Sequence, residues 1–348
     1  EICGIAGAAL QWLQSYLTGR SQVVQVGQGL SDVLYLDTGT PQGSSCSCLV
    51  FAFFVGDLPL WIQDGLLEAY ADDTFVTVEA DSESELRDNL EKVGEDILRY
   101  FASNRMVANA SKTALIVFRS RGQQEPLTIT LAQETIIETD GEKLLGVLVQ
   151  SDLKWTRQCK KMTSEINYAL SVITRLRQHL GTKELRTIAD GLVMSKVRYC
   201  LPVFASEFLR FKTTDPHSSL MQQIQRSQND MLRILTNSRK RDHVRIADML
   251  EQTRFLSVNQ MAAYSLLVET WKAREFRVPV LSGLFDRQRK DERTLRSDTE
   301  NRVVTKYRDT LAINAERLWN MASPKFKQTN LLTIAKAEAR VLAKSLPV

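Results

Sequence analysis

The chain is poor in the residues that staple, break or anchor a fold. Its 348 residues include only 5 cysteines, 3 histidines, 8 prolines and 16 glycines. The cysteines (Cys3, Cys46, Cys48, Cys159 and Cys200) are odd in number and scattered, which argues against a disulfide framework and for a reduced, intracellular protein. His179, His217 and His243 are too isolated to suggest a zinc site. With 43% hydrophobic and 25% charged residues, the composition suits a globular protein and excludes a disordered or fibrous one. The longest apolar run, "CLVFAFFVG" at 48–56, is too short to span a bilayer, so no membrane partner is expected. No signal peptide is evident, and the first residue is Glu1 rather than methionine, so the sequence reads as starting inside a longer frame.

What is present is charge, unevenly placed. Residues 1–118 hold 6 Lys and Arg against 16 Asp and Glu, whereas the remainder holds 39 against 25. An acidic region can hold metal ions and a basic body can follow a phosphate backbone; solvated basic helices give the same count. The densest basic run is "NSRKRDHVR" at 237–245.

Hydropathy patterning predicts a mixed first part. Residues 7–18 read as a short amphipathic helix, and 22–27 alternate like a strand. Gly39, Pro41 and Gly43 mark a turn-rich loop, with Ser44 or Ser45 placed to cap the next helix. That helix is apolar nearly all round, so it is expected to be buried, with Cys46 and Cys48 as packing residues and Pro59 as its stop. A β-hairpin follows over 66–78, then a capped helix from Ser82 to about Ser103 with Leu86, Leu90, Val93, Ile97 and Phe101 in phase. Strands are expected at the end of 109–118 and over 127–131, 134–138 and 143–149. From about 160 the pattern is helical, over 160–180, 183–204, 219–236, 257–276 and 328–346, with a charged, aperiodic linker or surface loop at 281–302. The fold class is therefore α+β with an appended helical region.

One stretch is costly on its face. "AYADDTFVTV", 69–78, sets Asp72 and Asp73 side by side among strand-prone neighbours, where like charges repel. The expected hairpin tip is Ala71-Asp72-Asp73; along a regular strand Tyr70 and Asp72 share one face and Asp73 takes the other, unless the turn twists it round. A divalent cation would turn the repulsion into attraction. Asp is also simply a favoured turn residue.

Several further stretches fall into order around it. "WLQSYLTGRSQVVQV" (12–26), "GTPQGSSCSCLVFAFFVGDLP" (39–59), "YADD" (70–73), "NASKT" (109–113) with Phe118, and "LLGVLVQSDLKW" (144–155) together resemble the reverse transcriptase domain of non-LTR (LINE-like, jockey-type) retrotransposons. Looser matches follow at "RYCLPVFA" (198–205), "QIQRSQNDMLRILT" (223–236) and "RLWN" (317–320). The resemblance implies an RNA-directed DNA polymerase that uses magnesium or manganese, with RNA template, DNA primer and deoxynucleoside triphosphates as partners and the nucleus as a setting. It implies a partial fingers and palm over 1–158, a mixed sheet with packed helices. A helical thumb would follow over 159–237, and a helical C-terminal region over 238–348. Asp72 matches the family's metal-binding carboxylate and Asp73 its neighbour. Gln42 and Gly43 match the loop near nucleotide and template and Lys112 a lysine near the triphosphate, while Tyr70 either supports the primer end or packs the hairpin; without the resemblance, Gly43 reads as a loop glycine and Lys112 as a solvated lysine. The family takes another essential Asp from a strand upstream of where this chain begins. The resemblance therefore implies N-terminal truncation and a chain inactive alone, or a retroelement remnant that binds nucleic acid without catalysis.

Overall fold

The computed structural model describes residues 4–109, 112–119, 125–205, 208–277 and 310–348, and the chain divides into two compact units, Glu1–Asp140 and Gly141–Val348. The expected loop at 281–302 lies outside the described residues. Both units together are mixed helix and strand, rich in helix, with small sheets. Among the described residues no helix is long and apolar enough to cross a membrane.

In the first unit, α1 (Gly7–Leu17) leads into two nested hairpins. The strand expected at 22–27 is split, because β1 (Arg20–Gln22) pairs with β4 (Leu34–Leu36) while β2 (Gln25–Val26) pairs with β3 (Gly29–Leu30). The apolar helix that follows is α2 (Ser47–Phe54), and it corrects two expectations. None of its residues is buried, with Leu49 at 63% and Phe53 at 57% exposure, and Cys48 is exposed rather than packed. An all-round apolar helix asks for a cover, yet no described residue before Leu58 is buried, so the described residues of this unit leave it uncovered. Nor does Pro59 end that helix. It starts a second short one, α3 (Leu58–Trp61), at the first turn, where the missing N–H costs nothing.

The hairpin β5 (Leu66–Tyr70) and β6 (Asp73–Thr77) precedes α4 (Glu83–Ser103). Ser82 caps α4 by accepting the Glu85 N–H at 3.2 Å. A three-stranded sheet in the order β7-β9-β8 completes the unit, from β7 (Leu115–Ile116), β8 (Thr128–Leu131) and β9 (Glu134–Thr139). The apolar face of α4 serves two small cores. Leu86 and Leu90 pack with Leu115, Val117, Leu127, Ile129 and Ile136 of the sheet region. Val93 and Tyr100 cluster with Leu58, Ile62 and the hairpin residues Leu67 and Val76.

The second unit opens with β10 (Gly141–Leu144) and β11 (Val147–Gln150), a tight hairpin where a single strand was expected over 143–149. Leu145 and Gly146 form the turn at φ 45° and 91°, the positive values that two-residue turns need and that glycine accepts most readily. Helices follow: α5 (Thr156–Leu176), α6 (Thr182–Ala189), α7 (Ser195–Arg198), α8 (Leu201–Ala205), α9 (Ser219–Thr236), α10 (Ile246–Thr253) and α11 (Val258–Glu275). The helix expected over 183–204 is interrupted by a π turn at Asp190–Met194 and by Cys200 at φ 52°, just ahead of Pro202 in the first turn of α8. The central helix α11 is buried on nearly all sides, and its N-terminus carries a reciprocal cap between Ser257 and Gln260. Three more helices, α12 (Thr310–Met321), α13 (Pro324–Gln328) and α14 (Leu332–Ser345), close the unit. Ala335, Ala339 and Ala343 are buried along one side of α14, small enough for close helix approach.

Arg119 clasps the first unit electrostatically. Its guanidinium meets both oxygens of Glu138 at 2.5 and 2.8 Å and Glu83 at 2.8 Å. The Arg119 hydrogen bonds hold the Glu138 carboxyl below its ordinary value. Glu138→Gln is expected to cost about 1.5–3 kcal/mol, the range for hydrogen bonds to charged groups. A depressed folded-state pKa gives stability that is present above the ordinary glutamate value and lost as pH falls through the folded value. In urea melts, the gap between wild type and Glu138→Gln should be full near neutral pH and narrow in acid; a pH-independent gap would count against the clasp.

Candidate active site

The site begins with the register of the hairpin. β5 and β6 pair Leu66 with Thr77 through to Tyr70 with Asp73, leaving Ala71 and Asp72 as the turn. Directly opposed residues share a face, so the short turn brings Asp73 round beside Tyr70. The regular-strand expectation, with Tyr70 and Asp72 together and Asp73 opposite, gives way to the twisted one. Ala71 adopts φ 53°, a left-handed conformation that a residue with a Cβ pays about 1–2 kcal/mol to hold. Leu67 and Val76 form the inward face on Val93 and Tyr100, whereas Tyr70, on the other face, is 67% exposed. Asp72 and Asp73 are both exposed, and neither makes an ion pair or side-chain hydrogen bond among the described residues.

Beneath the hairpin, Tyr100 is fully buried. Its hydroxyl donates to Asp57 Oδ1 at 2.5 Å and lies 3.3 Å from the Phe54 carbonyl at the end of α2. Burial first, and then the bond to the Asp57 carboxylate, push the Tyr100 phenol up to about 12. The Trp61 ring meets Tyr100 edge-on at 5.7 Å between centroids. Lys92 ties α4 to Asp64, ahead of β5, at 2.5 Å.

Gln42 and Gly43 occupy an exposed turn held from several directions. Arg20 donates to the Thr38 and Gly39 carbonyls at 3.1 and 2.6 Å, and Ser47 donates to the Pro41 carbonyl at 2.6 Å. Gly43 has φ 84° and open space where a Cβ would stand, so within this chain its glycine requirement is conformational. Lys112 is exposed, in a turn whose N–H reaches the Asn109 carbonyl at 3.0 Å, ahead of β7. The hairpin therefore gathers Tyr70, Asp72 and Asp73; among the described residues no side-chain hydrogen bond or ion pair joins them to Gln42, Gly43 or Lys112.

Among the described residues no group of three or more His, Cys, Asp or Glu side chains is arranged to hold a metal ion. The hairpin offers two adjacent carboxylates, a donor set that fits one hard cation taking its other oxygen ligands from water or phosphate. The sequence reading set Asp57 aside as non-catalytic and gave it no partner; the structure makes it the acceptor of the Tyr100 hydroxyl. A tyrosine in phase with Val93 and Ile97 on an amphipathic helix was the available signal, since a buried hydroxyl must find an acceptor.

Residues 3–162 match the family model described as reverse transcriptase (RNA-dependent DNA polymerase). The chain is 25% identical over 196 residues to the 115 kDa protein of type-1 retrotransposable element R1DM of Drosophila melanogaster, across 55% of this chain and 19% of that protein. It is 21% identical over 231 residues to the probable RNA-directed DNA polymerase from transposon X-element of the same species, across 64% of this chain and 24% of the relative. To the RNA-directed DNA polymerase from mobile element jockey of Drosophila funebris it is 25% identical over 154 residues, across 42% and 17%. The chain is thus similar to these reverse transcriptases over part of its own length, and spans about a fifth of the length of the curated relatives it matches. No solved structure matches the chain.

Tyr100→Phe would leave Asp57 and the Phe54 carbonyl without their donor, at an expected cost of about 1–2 kcal/mol. A phenol pKa raised in the folded state gives stability present below the ordinary tyrosine value and lost as pH rises toward about 12. Denaturation of variants that keep Trp61 as the sole tryptophan, followed by its fluorescence, should show the advantage of Tyr100 over Tyr100→Phe shrinking from about pH 10 upward. A constant difference would detach the phenol from the stability of this core.

Proposed function

We propose that this chain is part of an RNA-directed DNA polymerase of a non-LTR retrotransposon, and that the β5–β6 hairpin is its metal-binding element. One observation carries the reading: two exposed, unpaired carboxylates at a strained two-residue turn, within a stretch that matches the reverse transcriptase family. In this reading residues 1–158 serve as partial fingers and palm, 159–237 as a thumb-like region and 238–348 as a helical C-terminal region. RNA template, DNA primer and deoxynucleoside triphosphates are the partners, and the nucleus is the setting.

Asp72 would be the principal ligand of a magnesium ion, with manganese as substitute, and Asp73 a second ligand beside it. Bound there, the ion would supply part of the charge neutralisation that two-metal nucleotidyl transfer needs. A second ion would need carboxylates beyond this pair. The side chains contribute placement. Tyr70 shares the outward face with Asp73 and would support the primer end. Gln42 and the Gly43 turn would lie against nucleotide and template, and Lys112 would neutralise or protonate the leaving pyrophosphate. Basic helices beyond residue 160 would hold the duplex by its backbone, with salt-sensitive, sequence-independent affinity.

The test is primer extension on an RNA template, by this chain and by any longer protein that contains it. Asp72→Ala is expected to lower incorporation by about 10²–10³-fold or more, with Asp73→Ala milder and duplex binding retained in both. Binding without incorporation in the parent protein would instead favour a retroelement remnant that holds nucleic acid. Measurable extension by the 348-residue chain alone would overturn the expectation that it is inactive by itself.

A further inference from the structure

β8 is an outer strand of the sheet β7-β9-β8, and an outer strand presents a row of main-chain groups to whatever lies beside it. Its side toward β9 is fixed by the register, Thr128 with Ile137 through Leu131 with Glu134, and the Leu127 carbonyl accepts the Glu138 N–H at 2.8 Å on that same side. Main-chain groups alternate along an antiparallel strand, so Thr128 and Thr130 turn theirs outward. The stretch "LTITLA", 127–132, is uncharged, rich in β-prone residues and without proline or glycine, the composition that pairs readily with copies of itself.

Helix α4 reaches across that edge. Arg87 Nε donates to the Thr128 carbonyl at 3.1 Å, and Glu91 Oε1 accepts the Thr130 N–H at 2.8 Å. The two side chains stand four residues apart, the spacing of an ion pair along a helix, yet each is turned to the strand. Gly94, three residues further along the same face, has the end of the Leu131 side chain where a Cβ would stand, so the absence of a Cβ lets α4 lie against the end of β8. Burial between helix and sheet is served by Leu86 and Leu90, and hydrogen bonds to outward main-chain groups add nothing to it. A donor set on a carbonyl and an acceptor set on the next outward N–H do what a neighbouring strand would do.

We propose that Arg87 and Glu91 form a guard, and that the edge they cover is a latent pairing site for β8 of a second copy of this chain. A second copy fits because the edge is self-complementary. Laid antiparallel about Ile129, Thr128 of one copy faces Thr130 of the other, and the two such pairs use all four outward main-chain groups of each strand. Threonines facing each other across strands are also favourable neighbours. An unrelated extended peptide gains the main-chain bonds without that match of side chains. The inference does not rest on the polymerase reading.

Size-exclusion chromatography with light scattering, on the whole chain over a range of concentrations, tests it. Arg87→Ala with Glu91→Ala leaves the net charge unchanged and puts the best helix former at both positions, so α4 is kept. This double variant is expected to reach twice the parent's mass, at a concentration about tenfold below any at which the parent associates. Adding Thr130→Pro removes the outward N–H without touching the bonds to β9 and should restore the parent's mass. Thermal melts read whether that variant folds; if it does not, Thr130→Lys blocks the same edge with a charge. Arg87→Lys with Glu91→Gln keeps a donor and an acceptor, and should stay at the parent's mass. A double-alanine variant with the parent's mass at every concentration overturns the proposal. So does association that the edge-blocking change leaves intact, because the contact would then lie on another surface.

Discussion

Helix α4 gives one apolar stripe to two neighbours, and the first unit depends on that division. Its early turns pack on the three-stranded sheet, and its later turns pack under the hairpin. A lone two-stranded hairpin is marginal in water, so β5–β6 owes its shape to Leu67 and Val76 seated on Val93 and Tyr100. The tyrosine brings a hydroxyl into that core, where an unpaired polar group is costly. Asp57 and the terminal carbonyl of α2 accept it, which binds the segment after the apolar helix to the floor of the hairpin. Asp57 thus has a structural task, whereas the carboxylates at the tip have no side-chain partner among the described residues.

Much of this was legible in the residues because the signals were local and periodic. Helices α4, α9 and α11 fall within a residue or two of their expected spans, each set by apolar phase and, for α4 and α11, by a side-chain cap. The hairpin followed from strand-prone residues flanking a polar pair. The failures share a cause: they turn on contacts or backbone states that composition does not encode. The apolarity of α2 states a preference for burial without saying what covers it. The run at 143–149 holds no break in hydropathy, yet Gly146 admits the positive φ that folds it into a hairpin. A π turn and a left-handed Cys200 divide the helix expected over 183–204, and only Pro202 hinted at them.

The two units meet the burial problem differently. The second has two large helical clusters, one with Trp271, Phe326 and Leu318 and the other with Ile166, Ile224 and Met231. Small alanines let α14 approach closely, so area is gained without bulk. The first unit has only small cores, and its stretch before Leu58 exposes Val26, Leu30, Tyr35, Leu49 and Phe53. Polar side chains and the Arg119 clasp bear more of its organisation. Arg20 illustrates this by fixing the Gly43 loop through carbonyl oxygens rather than through packing.

The turn at the hairpin tip is where these levels meet. Asparagine or glycine would relieve the left-handed strain at Ala71, since both tolerate positive φ better than alanine. A longer loop would relieve it as well, but would free Asp73 from its place opposite Tyr70. The two-residue turn therefore exchanges backbone comfort for a fixed relation between a tyrosine and a carboxylate, with a second carboxylate one residue away. Packing beneath the strands holds the register that imposes the strain, and the unpaired charges above contribute nothing to that hold. Strain maintained by a core and expressed at an exposed acidic pair is the pattern expected where a chain positions ligands for something it does not itself contain.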